Sequence, residues 1–289
     1  MRESVVSGGT SGAEPHETRR RILSAVLELR GFAAVWGDYN RTFGKFFVAG
    51  VTMRIAVIDI GSNSIRLVAA DLHGSDYVTC ADLRATPRLG RGLAATGMLD
   101  QASMDAALEV LSNFQQQVRH LRVDALRIVA TCALREAANG PEFLRRVQET
   151  LGLSIEVLTA HDEGRLAFLS VQRRCDCMGR RTLVADVGGG STEIVLAFDR
   201  HIEHIATTRL GAVRLAAMFD GASPMTDAQY AKMIAWIDEE LDRETSRIEL
   251  PVDELHGCGG AFTSLGAMVV AGTGDTAPID VVRAPQGML

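Results

Sequence analysis

The hydrophobic residues of the chain fall into short apolar runs and longer helical repeats that alternate along the sequence. The first strong run begins at Ile55 and ends in Asp59, and its length and β-branched composition predict a buried strand. Four turn residues follow, and 65–71 is predicted to be the returning strand of a hairpin. Over 100–121, apolar residues recur at three- and four-residue spacing, which predicts a long amphipathic helix.

The same order of elements occurs twice. The other predicted elements of the first half are strands over 77–83, 125–130 and 154–158 and helices over 141–151 and 162–173. Those of the second half are strands over 182–186, 193–198, 201–207 and 252–256 and helices over 211–219, 226–243 and 261–270. This repetition predicts a duplicated α/β fold with two domains, 53–175 and 176–289.

The two ends of the chain do not follow the repeated plan. Residues 1–52 combine a Gly/Ser/Glu-rich start with one amphipathic stretch, so we expect a disordered or loosely helical N-terminal extension. The second copy has no counterpart of the strand and helix predicted over 154–173. We therefore expect the second domain to be C-terminally incomplete.

The composition and charge of the chain argue against several classes of function. The chain has 289 residues, is 47% hydrophobic and 23% charged, and carries a net charge of −6, so no global positive field favours DNA or an anionic membrane. No run approaches the length of a membrane span. The five scattered cysteines indicate reduced thiols and a cytoplasmic protein. Cys175 and Cys177 have no second cysteine pair to complete a zinc site, so we give that site little weight.

The two glycine-rich turns contain the candidate residues for binding phosphate and Mg²⁺. Asp59 is followed by I-G-S-N-S and Asp186 by V-G-G-G-S, so both turns share an Asp-x-Gly-x-x-Ser frame. Glycine lets the backbone approach an anion, successive N–H groups form an anion-binding nest, and an Asp at the strand end suits Mg²⁺. One such turn alone would be an ordinary hairpin. Two copies predict a phosphate chain held from both sides of an interdomain cleft.

Five segments, in this order and spacing, resemble the Ppx/GppA family of exopolyphosphatases and guanosine pentaphosphate phosphohydrolases. They are D-I-G-S-N-S-I-R-L-V, A-T-C-A-L-R-E-A-x-N, H-D-E-G-R-L-A-F, D-V-G-G-G-S-T-E-I-V and T-R-L-G-A-V-R-L, within a similarity that runs over 54–270. The resemblance implies two ribonuclease-H-like domains of the actin-like ATPase and sugar kinase superfold, with a phosphate site in the cleft between them.

The resemblance also implies roles for individual residues. Glu163 matches the catalytic base, and Asp186 and Glu193 are the other carboxylates of the reaction. The implied metal ligands are Asp59, Asp186 and Glu193, for Mg²⁺ or another divalent cation. The implied phosphate-binding residues are Gly61, Ser62, Asn63, Ser64, Arg66, Arg135, Gly188, Gly189, Gly190, Ser191 and Thr192. The turn of Gly257, Gly259 and Gly260 matches the one that lies beside the nucleoside in nucleotide-binding relatives.

Several of these assignments have structural alternatives. Glu163 lies in the first turn of a predicted helix, where the helix dipole favours a carboxylate without catalysis. Arg135 has Glu136 beside it as an ion-pair partner, and Arg209 and Arg214 flank a predicted helix start within reach of phosphate. The family usually has Ala at the position of Gly164, and Gly there is expected to cost the helix about 1 kcal/mol.

The implied function is hydrolysis of the terminal phosphoanhydride of inorganic polyphosphate by Mg²⁺-assisted attack of water. The alternatives are the same reaction on guanosine pentaphosphate, an ATP-dependent kinase of the same superfold, and a polyphosphate- or nucleotide-binding sensor with weak or lost activity. No acceptor signature favours the kinase. The implied partners are polyphosphate or a phosphorylated guanine nucleotide, and a second copy of the chain in a homodimer, with no DNA and no membrane.

Overall fold

A computed structural model of the chain describes residues 53–73, 76–219, 225–248 and 251–273. The predicted N-terminal extension, 1–52, lies outside the described residues, as does the last segment, 274–289. The described residues form two α/β units, each built on one mixed sheet. None of the helices within these ranges has the length and apolar character needed to cross a membrane.

The first unit has a five-stranded sheet in the order β3-β2-β1-β4-β5. Its strands are β1 (Met53–Ile60), β2 (Ile65–His73), β3 (Asp76–Ala85), β4 (Ala125–Ala130) and β5 (Glu156–Val157). Its helices are α1 (Leu93–Thr96), α2 (Gln101–Leu121), α3 (Cys132–Glu136) and α4 (Gly140–Leu151). The first three strands are antiparallel neighbours, and β4 and β5 run parallel to β1.

The long helix α2 covers one face of this sheet because its sequence gives it a single apolar face. Met104, Ala107 and Leu111 are buried at helical spacing against β-strand residues such as Ile58. The Asp100 side chain accepts a hydrogen bond from the Ser103 backbone N–H and so caps the helix N-terminus. The prediction of a helix over 100–121 is confirmed.

The second unit repeats this plan on a four-stranded sheet in the order β8-β7-β6-β9. Its strands are β6 (Arg181–Val187), β7 (Thr192–Phe198), β8 (His201–Thr208) and β9 (Glu254–Cys258). Its helices are α6 (Ala212–Phe219), α7 (Asp227–Thr245) and α8 (Gly259–Thr273). β6, β7 and β8 are antiparallel neighbours and β9 runs parallel to β6, as β4 does to β1. The predicted duplicated α/β fold is confirmed.

Helix α5 (Ala160–Gln172) joins the two units. Leu166 packs into an apolar cluster of the first sheet, whereas Phe168 and Val171 pack against Val184 and Val195 of the second. The sequence division at 175 assigns α5 to the first domain, yet much of its apolar surface is buried by the second sheet. Its N-terminal turn consequently lies between the two units.

Candidate active site at the domain interface

The two glycine-rich turns have the same backbone geometry. In the β1–β2 turn the Gly61 N–H donates to the Ser64 carbonyl at 3.0 Å, and in the β6–β7 turn the Gly188 N–H donates to the Ser191 carbonyl at 3.0 Å. The shared Asp-x-Gly-x-x-Ser frame thus produces the same closing hydrogen bond twice. The duplication proposed from the sequence extends to the atoms of the turn.

The tips of the two turns are in contact. A Cβ added to Gly189 would lie 3.3 Å from the Asn63 backbone N, and one added to Gly190 would lie 2.7 Å from Ser62 Oγ and 2.6 Å from Cys132 Sγ. A side chain at Gly190 would therefore force one of these neighbours to move. The glycines are needed here because they allow the two units to approach each other.

Neighbouring segments fix the first turn. The Gly90 N–H donates to the Ser62 carbonyl at 2.8 Å, and the Arg88 N–H donates to the Asn63 carbonyl at 3.0 Å. Ser62 is buried, and Arg84 of β3 donates to Ser64 Oγ at 3.1 Å. Gly61, Asn63 and Ser64 remain partly exposed.

The N-terminus of α6 supports the second turn. The Ala212 and Val213 N–H groups donate to the Gly188 and Gly189 carbonyls at 3.0 and 2.9 Å. The buried Thr192 hydroxyl donates to the Leu210 carbonyl, so this predicted phosphate ligand holds the turn to the segment before α6.

Asp59 and Asp186 end equivalent strands and approach each other across the interface. Burial raises the pKa of each carboxyl to about 6, and for Asp59 the charge of Asp186 adds to this effect. Two carboxylates held this close repel each other unless a cation or a proton separates them. The predicted convergence of the two strand ends is present.

Glu163 lies in the first turn of α5 and points to the same place. Burial raises the pKa of Glu163 to about 7, against the opposing effect of Arg135, and the charges of Asp59 and Asp186 raise it further. Arg135 of α3 is ion-paired with Glu163 and also donates to the Leu158 carbonyl at 2.9 Å. Glu163 is therefore a carboxyl poised to change protonation near neutral pH.

Glu193, at the start of β7, is the most buried of these carboxyls, with 3% of its surface exposed. Burial, followed by the charge of Glu163, raises the pKa of Glu193 to about 8, while a hydrogen bond with Ser191 lowers it. Among the described residues its Oε1 atom has no hydrogen-bond partner. A proton or a cation would satisfy this buried oxygen, which lies near the carboxyl groups of Glu163 and Asp186.

The chemical type of these side chains suits a divalent cation, although among the described residues no three of the four carboxyl groups have oxygens within 4.8 Å of one another. The four carboxyl groups are hard oxygen ligands, which Mg²⁺ prefers, and Mg²⁺ at phosphate sites takes one or two carboxylates and keeps waters. The orphan oxygen of Glu193 and the mutual charge of Asp59 and Asp186 are features that a bound cation would satisfy. Mg²⁺ binding by Asp59, Asp186 and Glu193 stays a prediction.

The arginine of the first turn is engaged elsewhere. Arg66, a predicted phosphate ligand, forms a two-pronged ion pair with Asp82 at 2.9 and 2.8 Å. Its charge and that of Arg84 nevertheless lower the pKa of Asp59, so both lie near the site. Sequence reasoning missed Arg84, although pairing of β2 with β3 places it directly opposite Arg66.

Arg214 connects the two units beneath the turns. Its guanidinium is 5% exposed and donates to the Gly190 carbonyl at 2.7 Å and to Glu136 Oε2 at 2.5 Å. These contacts link α6, the second turn and α3. Of the two arginines near this helix start, Arg214 is thus a link between the units, and Arg209 is exposed, with its backbone N–H bonded to Glu240.

The glycine turn after β9 lies against the second strand end. Gly259 has φ +84°, and a Cβ there would fall 2.4 Å from the Val187 carbonyl oxygen and 2.7 Å from Asp186 Oδ1. Gly257 is covered by the Phe262 ring, and Gly260 faces open space. The predicted turn is therefore next to Asp186.

The structure thus places the two turns and the side chains of Asp59, Arg135, Glu163, Asp186 and Glu193 near the contact between the two units. The side chains of Arg66 and Thr192 have protein partners instead of facing the interface. Sequence reasoning missed the residues that hold the turns in place: Arg84, Gly90, Cys132, Glu136 and Gly211.

Comparison with known proteins gives a consistent result. The family model described as Ppx/GppA phosphatase family matches residues 67–270. Exopolyphosphatase 1 of Mycobacterium tuberculosis is 31% identical over 190 residues, which cover 65% of this chain and 55% of that protein. Exopolyphosphatase 1 of Mycobacterium leprae is 30% identical over 190 residues, with 65% and 56% covered. The chain spans little more than half the length of these relatives.

Solved structures agree. The crystal structure of the Aquifex aeolicus Ppx/GppA family member is 32% identical, with a TM-score of 0.62 and coverage of 76% of this chain and 71% of that chain. An exopolyphosphatase from Cytophaga hutchinsonii is 25% identical, with a TM-score of 0.72 and coverage of 78% and 72%. Since the family model matches more than half of the sequence, and these structures share its two-sheet fold, the chain belongs to the Ppx/GppA phosphatase family.

Proposed function

We propose that this protein hydrolyses the terminal phosphoanhydride bond of inorganic polyphosphate and releases orthophosphate. The observation that carries the proposal is the position of Glu163, a carboxyl with a pKa raised to about 7 beside the two Asp-headed turns. A group with that pKa is suited to accept a proton at neutral pH. The names of the mycobacterial relatives support polyphosphate as the substrate.

The chain's own groups supply the steps that phosphoryl transfer requires. Cleavage of a phosphoanhydride depends on positioning, on stabilising charge at the equatorial oxygens and on an oriented water. Asn63 and Ser64, which are partly exposed in the first turn, offer backbone N–H donors to the terminal phosphate. Arg135 places a positive charge next to Glu163, and Glu163 orients the attacking water and accepts its proton.

Asp59, Asp186 and Glu193 are the residues that would hold Mg²⁺. A bound Mg²⁺ supplies positive charge that neutralises phosphate oxygens and offsets the mutual repulsion of these carboxylates. The charge of Asp186 raises the pKa of both Asp59 and Glu193, so Asp186 interacts with both of the other proposed ligands. We therefore expect Asp186→Asn to weaken Mg²⁺ dependence more than a change at either neighbour.

The test is phosphate release by the purified 289-residue chain from long-chain polyphosphate, guanosine pentaphosphate and ATP, with Mg²⁺ and with chelator. We expect polyphosphate to be the preferred substrate and kcat/KM to rise with pH as Glu163 loses its proton, with a midpoint below 7 in Mg²⁺ because the cation offsets the charges of Asp59 and Asp186 that raise the pKa of Glu163. Glu163→Gln should lower kcat by about 10²- to 10⁴-fold and leave polyphosphate binding intact.

The matched control is Asp162→Asn. Asp162 occupies the same first turn of α5 and accepts a hydrogen bond from the Thr159 hydroxyl at 2.6 Å, so it reports any effect of removing a carboxylate at this helix start. Its activity should stay within a few-fold of the parent chain. Equal losses in the two variants would show that Glu163 acts through the helix and would overturn the base assignment.

Other outcomes distinguish the remaining hypotheses. Preference for guanosine pentaphosphate would replace the substrate in the proposal and keep the reaction. Binding of polyphosphate without turnover of any of the three substrates would favour the sensor.

A further inference from the structure

A second group of ligand-type side chains lies away from the interface, where the segment after α5 meets β9. Cys177, Glu254 and His256 present one ligand atom each, and these atoms all lie within 4.8 Å of one another. Cys175 adds a fourth, because its Sγ lies 3.6 Å from His256 Nδ1. Two of the four come from one Cys-x-Cys segment and two from alternate positions of one strand.

The topology explains why residues so distant in sequence meet. Strand β9 pairs parallel to β6, with His256 beside Val184, and it turns Glu254 and His256 to the face covered by α5. The chain leaves α5 on that same face and runs back along it before β6 begins. Cys175 and Cys177 are therefore held over the inner face of β9.

The burial of Cys177 and the hydrogen bonding of His256 are features that a bound metal would explain. Cys177 is 3% exposed. His256 Nε2 is buried and, among the described residues, makes no hydrogen bond, although Glu254 Oε1 is 3.4 Å away. A buried imidazole nitrogen without a hydrogen bond is costly, and a metal bound by the ring together with Glu254 is one way to satisfy it.

The geometry is close to that of a tetrahedral zinc site. Zinc binds thiolate at about 2.3 Å and imidazole at about 2.0–2.1 Å, so neighbouring ligand atoms in a tetrahedron are separated by about 3.6 Å. The separation of Cys175 Sγ and His256 Nδ1 already has this value, and the ligand atoms of Cys177, Glu254 and His256 need to approach one another by about 1 Å. Cys175 faces Nδ1 of the ring and Glu254 faces Nε2, so one of these two side chains has to rotate when the metal binds a single ring nitrogen. Soft thiolates with imidazole favour Zn²⁺ over Mg²⁺.

We propose that Cys175, Cys177, His256 and Glu254 form a structural Zn²⁺ site that fastens the segment after α5 to strand β9. A cavity of about 310 Å³ is lined in part by Cys175 and Cys177. Zn²⁺ in this site holds β9 in register beside β6. The site is separate from the carboxylate cluster and does not depend on the phosphatase proposal.

The test uses the full chain, stripped of metal with a chelator under a phosphine reductant and then titrated with Zn²⁺ in competition with a colorimetric chelator. We expect one high-affinity Zn²⁺ per chain and a rise in Tm on binding. Co²⁺ in place of Zn²⁺ should give intense d–d bands and a thiolate-to-cobalt charge-transfer band. This band reports thiolate ligation directly and is independent of enzymatic activity.

Single substitutions assign the ligands. Cys175→Ser and Cys177→Ser should each lower zinc affinity by at least about tenfold and reduce the charge-transfer band, and Glu254→Gln should lower affinity without removing that band. Cys80→Ser is the matched control, because Cys80 is on β3 of the other sheet. Since Cys177 is buried, Cys175→Ser and the parent spectrum remain decisive if Cys177→Ser fails to fold. A parent chain that binds zinc no more tightly than Cys175→Ser, or a Co²⁺ spectrum without a thiolate band, overturns the proposal.

Discussion

Glu193 gives the sharpest physical prediction, because the fold buries a carboxyl there against other carboxyls. Its pKa is raised from 4.5 to about 8, so the folded protein keeps this proton over a pH range in which the unfolded chain has lost it. Where the folded state binds more protons than the unfolded state, the free energy of unfolding falls as pH rises. The metal-free protein should therefore lose stability between pH 5 and pH 8.

The size of the effect follows from the same shift. One pKa unit corresponds to about 1.4 kcal/mol, so an independent group would cost about 4 kcal/mol over this pH range. Glu163 and Glu193 influence each other's pKa, so the shift belongs to the pair. We therefore assign about half of this loss in the free energy of unfolding, ~2 kcal/mol, to Glu193 alone. For a protein of this size that corresponds to a change in Tm of about 4–8 °C.

The assay is a thermal melt in chelator at pH 5 and pH 8 for the parent chain and for Glu193→Gln. The variant should lose about 4–8 °C less than the parent between the two pH values, because glutamine stays neutral. Any cost of burying the amide is independent of pH and cancels in this difference. Glu149→Gln, on the exposed face of α4, is the control and should follow the parent.

Parallel pH profiles for the parent and Glu193→Gln would refute the reasoning. They would mean that the carboxyl is solvated or already paired. Repeating the melts at pH 8 with Mg²⁺ extends the test to the proposed cation site. There Mg²⁺ should raise the Tm of the parent more than that of the variant.

Three further substitutions probe how the units are held together. In Gly190→Ala the added Cβ would overlap Cys132 Sγ and Ser62 Oγ, so kcat/KM should fall by roughly ten- to a hundredfold and stability by about 1–3 kcal/mol, measured by phosphate release and denaturant unfolding. Arg214→Ala leaves buried partners unpaired and should destabilise the chain by about 3 kcal/mol in denaturant unfolding, with Arg214→Lys intermediate. Gly164→Ala should lower stability by about 1 kcal/mol despite its better helix propensity, because its Cβ would lie 2.7 Å from Ile205 Cγ2; unchanged or higher stability would contradict this packing argument.

Hydrophobic periodicity predicted most of the fold, because long elements repeat their pattern over several turns or strand positions. The short helices α1 and α3 were missed, since four or five residues are too few to show a helical period. The strand predicted over 154–158 is reduced to Glu156–Val157 at the sheet edge. Gly164 is explained by tertiary packing, because it brings α5 close to β7 and β8, and the sequence shows only its helix propensity.

Residues close to the two turns could be predicted because the turns repeat a recognisable frame. Partners contributed by distant elements could not. The link between Arg214 and Glu136 joins helices of different units, and the contact between Cys175 and His256 depends on β9 pairing with β6. A Cys-x-Cys pair alone gave no reason to look 80 residues further along the chain for its partners.

The duplication also shows how one position makes two similar turns chemically different. In each antiparallel hairpin the strand-end Asp is paired with one residue of the next strand: Asp59 faces Arg66, and Asp186 faces Glu193. The first copy therefore carries a nearby positive charge, which opposes the rise that burial causes in the pKa of Asp59, whereas the second adds a buried negative group with a raised pKa. Negative charge accumulates on one side of a nearly symmetric interface. We expect a cation to bind on that side, where Glu163 of α5 lies close enough to Glu193 for its charge to raise the pKa of Glu193.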